Sequence, residues 1–220
     1  MTDTPQRPAT IDALCRQATK CRECFNQGGV SPATINIPQP RWIGDGYWAS
    51  SPRVCVVMLN PGAGADHNGI SNRRMRAFLE RFREGDAHLD EIFRAQRADF
   101  ATWGQPAGRF LKFFRTYDLD IDKIALANVA WCATQGDQYP SWMLNTCMDR
   151  HTSRLLAQLQ PDVLMLAGAG VHSFRSQIGQ MLPITKVFEG LHYAHRKGRN
   201  VEAAQASVFR ELVRNYSGGA

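Results

Sequence analysis

The chain has 220 residues, 44% of them hydrophobic and 21% charged, with a formal charge of +6. That is enough apolar material for one well-buried core, so one domain over residues 1–220 is expected. No run of about 18 apolar residues occurs and Met1 to Thr10 is polar and proline-bearing, so neither a membrane span nor a secretory signal is expected. A cytoplasmic monomer follows, and its excess of arginine favours phosphate-bearing partners.

The segment Thr10 to Lys20 reads as a short helix, and Phe25 to Ser51 as an ordered loop without regular periodicity. Arg53 to Asn60 is a short β-branched run ended by Pro61-Gly62, the pattern of a strand buried on both faces. From Asn72 to Arg97, apolar residues recur at helical spacing with a break near Gly85-Asp86, predicting two amphipathic helices whose other face is rich in arginine. A helix over Ala107 to Tyr117 and a strand over Ile124 to Val129 come next. A long helix from Trp142 to Leu159 ends before Pro161.

Val163 to Ala167 is a third buried strand, Gly170 to Gln180 a helix, Ile184 to Phe188 a fourth strand and Val201 to Asn215 a closing helix. Strand and helix alternate. The alternation predicts an α/β fold, three layers α/β/α around a mainly parallel four-stranded sheet, with residues 72–103 as a helical arginine-rich insertion.

In open parallel sheets, ligands bind beyond the carboxyl ends of the strands. Four segments then carry the candidate chemistry: Asn60 to Gly64, Asn128 to Cys132, Gly168 to Gly170, and His192 to Arg196. Amide, imidazole, guanidinium and glycine backbone would meet in one cleft, able to bind a planar heterocycle and stabilise a leaving anion. Gly168-Ala169-Gly170 lacks the full Gly-x-Gly-x-x-Gly pattern, so dinucleotide binding is not expected there.

Six cysteines are too few for a disulfide scaffold in a chain this long. Cys21-x-x-Cys24 can present two thiolates to one metal, and Cys132 and Cys147 follow the second strand. Four thiolates suit an iron-sulfur cluster or zinc, and composition does not choose between them. Cys15 and Cys55 read as ordinary buried residues.

With these parts in order, the chain resembles the uracil-DNA glycosylase superfamily, particularly its iron-sulfur branch. The matching residues are Cys21 and Cys24, Asn60 to Gly62, Ala107-Gly108-Arg109-Phe110-Leu111, Asn128 with Cys132, Cys147, Gly168 and His192-Tyr193-Ala194. Three departures mark a divergent member. Tyr193 stands where proline is usual, residues 72–103 are inserted, and Asn60 replaces a common acidic residue. The Asn-Pro-Gly form is similar to mismatch-specific and single-strand-selective glycosylases.

The resemblance implies a monofunctional glycosylase that removes a flipped-out deaminated base from damaged DNA, uracil first, with hypoxanthine or xanthine as further substrates. It implies a 4Fe-4S cluster on Cys21, Cys24, Cys132 and Cys147, with zinc as the alternative occupant. Asn128 would read the base edge, His192 would donate to the leaving base, and Asn60 would orient water, with Asp66 and His67 in reserve. Trp103 would stack on the base and Gly62 would leave the pocket open to bases larger than uracil. Tyr193, Arg196, Lys197 and Arg199 would contact DNA. The competing readings are a catalytically inactive nucleic-acid binding protein with the same fold and cysteines, and an α/β hydrolase using Cys132 or Cys55.

Overall fold

A computed structural model describes residues 6–26, 28–61, 69–104, 106–196 and 198–216. Its strands β1 (Val54–Met58), β2 (Ile124–Asn128), β3 (Val163–Ala167) and β4 (Lys186–Gly190) form one all-parallel sheet in the order β2-β1-β3-β4. Every residue of β1, β2 and β3 is buried, as strands covered by helices on both faces must be. The helices are α1 (Ala9–Thr19), α2 (Gly69–Glu84), α3 (Leu89–Asp99), α4 (Arg109–Thr116), α5 (Ser141–Cys147), α6 (Ser153–Leu159), α7 (Ala169–His172), α8 (Arg175–Met181) and α9 (Arg199–Arg214). The fold is the expected three-layer α/β/α arrangement.

α2 and α3 are two separate helices, broken where the glycine predicts. Gly85 adopts a positive φ of 102°, and the N–H groups of Gly85 and Asp86 both donate to the Arg81 carbonyl, closing α2. Leu79, Phe82, Leu89, Ile92 and Phe93 are buried, so the apolar stripe of each helix faces the core.

Three stretches differ from the sequence expectation. β4 begins at Lys186, two residues later than predicted, because Ile184 is 86% exposed in the preceding turn and does not join the sheet. β4 lies at the sheet edge and is only partly buried, so its apolar signal was weak. The helix expected over Gly170 to Gln180 is split into α7 and α8 by a turn at Ser173-Phe174. The long helix before Pro161 contains a π-helical turn, Met148–Thr152, between α5 and α6. Such turns insert an extra residue and re-aim the side chains around them.

The loop before β1 is more ordered than its composition suggests. Residues 39–44 run antiparallel along the free edge of β2: Gln39 N–H donates to the Trp131 carbonyl, Leu126 N–H to Trp42, and Gly44 N–H to Ile124. This covers the backbone groups that an edge strand would otherwise expose.

Candidate active site

The described parts of the four post-strand segments converge. Parallel pairing sets Met58 beside Asn128, and it continues past the strands as Val129 and Ala130 donate to the Met58 and Leu59 carbonyls. Gly168 has a φ of 109°, and a Cβ built there would lie 3.1 Å from the His192 Cβ. A Cβ on Gly170 would come 3.2 Å from the Leu59 side chain. At Gly168 the left-handed φ strains any other residue, and at Gly170 a side chain would force Leu59 to shift.

Asn128 is the most telling residue. It is 1% exposed, yet neither its side-chain oxygen nor its side-chain nitrogen has a partner among the described residues. Its backbone is held firmly: the Thr152 hydroxyl, from the π-helical turn, lies 2.7 Å from the Asn128 carbonyl and accepts from the Trp131 indole N–H at 3.0 Å. Thr152→Val is expected to cost about 1–3 kcal/mol in urea unfolding, since it leaves a buried indole N–H unpaired. An unchanged midpoint would remove Thr152 from this role.

His192 follows β4 and is partly buried. Burial first, then His195 and Arg109, lower its pKa from 6.5 to about 4. The ring is therefore neutral at physiological pH. The Ala194 N–H donates to its Nδ1 at 3.2 Å, so the remaining proton sits on Nε2. The neutral imidazole is thus a fixed hydrogen-bond donor. Because the folded chain resists this proton and the unfolded chain accepts it, stability is expected to decline as pH falls from about 6.5 towards 4. Replacing His192 with glutamine should reduce that slope in melting curves taken across this range.

Asn60, just beyond β1, donates its amide N–H to the Asp137 carboxylate at 3.3 Å. Asp137 also interacts electrostatically with Tyr139 and Tyr193. Its φ of 53°, next to Gly136 at 70°, holds it in a left-handed turn, a conformation that aspartate tolerates better than most residues. Sequence reasoning missed Asp137. The signal was a polar Thr134-Gln135-Gly136-Asp137 run in the loop after β2, on the same side as Asn60.

Trp103 packs edge-on with Phe100 and Phe110, and the Arg41 guanidinium lies 4.7 Å from its ring centroid. Tyr193 packs on Phe110 and on His192, with ring centroids 5.2 and 4.2 Å apart respectively. Its hydroxyl, raised in pKa by burial, interacts with Arg41. Arg41 was also missed, because its segment carried no periodic signal.

The four predicted thiols lie within electrostatic range of one another. Cys24, Cys132 and Met143 form a small buried cluster flanked by Phe25, Val30, Tyr139 and Trp142. Cys132 interacts electrostatically with Cys147, Cys24 and Cys21, and Cys147 with Cys24 and Cys21. Burial pushes the Cys24 thiol up to about 11 and that of Cys147 to about 12. The Trp131 N–H donates to the Cys147 sulfur at 3.1 Å. Among the described residues, no three His, Cys, Asp or Glu side chains form a group able to hold a metal ion. Cys15 and Cys55 are buried with raised thiol pKa values, as expected of structural residues.

No known family model matches the chain, and no curated protein resembles it significantly.

The expected DNA contacts are only partly visible. Arg196 is exposed, while Gly62, Asp66, His67 and Lys197 lie outside the described residues, as does the Arg199 side chain. On α2 and α3, Arg76, Arg81 and Arg83 pair with Glu80, Glu91 and Glu84 at 2.9, 3.3 and 3.0 Å. Such exposed pairs are weak, so phosphate can compete for these arginines. Among the described residues, no helix is long and apolar enough to cross a membrane.

Proposed function

We propose that this chain is a monofunctional DNA glycosylase, a divergent relative of the uracil-DNA glycosylase superfamily, hydrolysing the N-glycosidic bond of a flipped-out deaminated base. The observation that carries this reading is Asn128, a buried amide at the carboxyl end of a parallel sheet whose donor and acceptor both lack a partner among the described residues. A buried polar group left unpaired costs about 1–3 kcal/mol. A ligand edge offering both an acceptor and a donor would recover that cost, and the edge of uracil or hypoxanthine offers both.

In the proposed reaction the bond between base and sugar breaks with its electron pair leaving on the base, and water adds to the anomeric carbon. His192 donates Nε2–H to the base oxygen on which negative charge grows. Its neutrality suits that task, because the proton stays on the ring while the hydrogen bond strengthens. Asn60 holds the water through its side-chain carbonyl, which points away from the amide N–H engaged by Asp137. Asp137 takes the proton that the water releases.

A 4Fe-4S cluster on Cys21, Cys24, Cys132 and Cys147 belongs to the same proposal. Four free thiols in mutual electrostatic range supply the right donor chemistry, with Cys24 and Cys132 in apolar surroundings, and their side chains would have to close further to hold the group. Bound there, it would cross-link the segment after α1 to the loop after β2 and the end of α5.

Incubation with duplexes containing uracil, hypoxanthine or xanthine tests the activity. An alkali-labile abasic site is expected with at least one of them, whereas binding without any abasic site would identify a non-catalytic DNA-binding protein. Trp103→Ala is expected to weaken substrate binding by about 1–3 kcal/mol if the indole supports the flipped base. Binding and cleavage like the parent would remove it from the pocket.

A further inference from the structure

Arg41 lies in the stretch that lines the free edge of β2 and is 6% exposed. A buried arginine ordinarily faces a carboxylate, because a guanidinium taken out of water without a counter-charge is costly. Among the described residues no carboxylate lies within ion-pair distance of Arg41, and its Nε has no hydrogen-bond partner. What surrounds it is the Trp103 ring face at 4.7 Å and the Tyr193 side chain. Burial lowers its pKa to about 10, which still leaves it charged at neutral pH.

A structural duty does not account for the side chain. Residues 39–44 are pinned to β2 by backbone hydrogen bonds on both sides of Arg41. Gln39, two residues earlier along the same edge, is also buried with its side-chain nitrogen unpaired. Among the described residues the unengaged groups at this end of the sheet include the donors Gln39 Nε2, Asn128 Nδ2, Arg41 Nε and His192 Nε2–H, against two acceptors, Asn128 Oδ1 and Gln96 Oε1. A donor-rich site awaits an acceptor-rich, negatively charged partner. Backbone phosphates stay at the duplex surface, whereas a group at 6% exposure is met only by something that enters the cleft.

We propose that Arg41 is the anion receptor of this cleft, binding planar heterocycles that carry negative charge on their acceptor atoms. That the natural anion is the departing base rests on the glycosylase reading above. The guanidinium carbon sits over the Trp103 ring at 4.7 Å, and a planar guanidinium held on one side by an aromatic ring is suited to in-plane acceptors.

Calorimetric titration of the full chain with free urate, anionic at neutral pH, and with neutral hypoxanthine tests the proposal. The parent is expected to bind urate about tenfold or more tightly than hypoxanthine, the difference of a charge-assisted hydrogen bond. Arg41→Gln should lose that advantage while holding hypoxanthine within about twofold, and Arg41→Lys should keep part of it. The Arg41→Gln protein should melt at or above the parent's temperature, since it sheds a buried charge that no carboxylate among the described residues compensates. Equal binding of the two purines, no binding of urate by the parent, or unchanged urate binding in Arg41→Gln overturns the proposal. So does a lowered melting temperature with both ligands lost, the mark of a structural arginine. Urate binding through Arg41 in a protein that cleaves no base would keep the receptor and remove the glycosylase reading. Cleavage unaffected by Arg41→Gln, with undifferentiated purine binding, would do the reverse.

Discussion

His192→Ala is expected to slow single-turnover cleavage of the preferred substrate by about 10²–10³-fold, the usual loss when one donor to a developing oxyanion is removed. The Ala194 N–H fixes the acceptor side of the ring and burial keeps it neutral, so the donor is in place before substrate arrives. The loss should therefore appear in the chemical step and leave substrate binding largely intact. The pH profile offers a second check. With a pKa near 4, His192 changes charge well below neutrality, so the parent's rate should show no limb near 6.5 that His192→Ala abolishes. Such a limb, or an unchanged rate in the variant, would sink the assignment. Asn128→Ala should be at least as damaging, because a site built to hydrogen-bond a base edge then loses its reader.

Cys132→Ala and Cys147→Ala are expected to be more damaging to the fold than to the chemistry. The parent, purified without oxygen, should carry about four iron and four sulfide per chain, with the broad visible absorption of thiolate-bound clusters. Either variant should lose the iron and several kcal/mol of stability, or fail to fold, because metal binding and folding are coupled when ligands come from distant segments. Cys147 also accepts the Trp131 N–H, so damage there reaches the Trp131–Thr152–Asn128 network. Cys15→Ala is the control: it is buried and unligated, and should keep full iron at a modest cost in stability. Stoichiometric zinc in the parent, or a Cys132→Ala protein with parental iron and stability, would overturn the cluster.

Much of the fold was legible because local chemistry and burial agree. Val54 to Met58 and Val163 to Ala167 are short β-branched or aliphatic runs that can only be buried strands, and they are. Gly85-Asp86 ends a helix because its backbone can take a positive φ that other residues resist. β4 was displaced because periodicity cannot tell an apolar residue in a turn from one in a strand, and only pairing of Lys186 with Val163 decides the register. The split between α7 and α8 and the π-helical turn left no mark in apolar spacing, since Val171, Phe174 and Ile178 stay buried across the split and Met148 and Thr152 in the turn.

Taken alone, the sequence determined the alternation of strands and helices, and hence which residues end at the carboxyl edge of a parallel sheet. Asn60, Asn128, Gly168 and His192 were named on that ground, as were the four cysteines by their spacing. The tertiary structure decided what those residues are free to do. Asn128 is unpaired because none of the described residues reaches its amide, His192 is neutral because the chain buries it beside Arg109 and His195, and Asp137 and Arg41 enter the site from segments with no periodicity. Hydrogen-bond satisfaction and desolvation are properties of surroundings assembled from distant parts of the chain, so neither can be read from residue order.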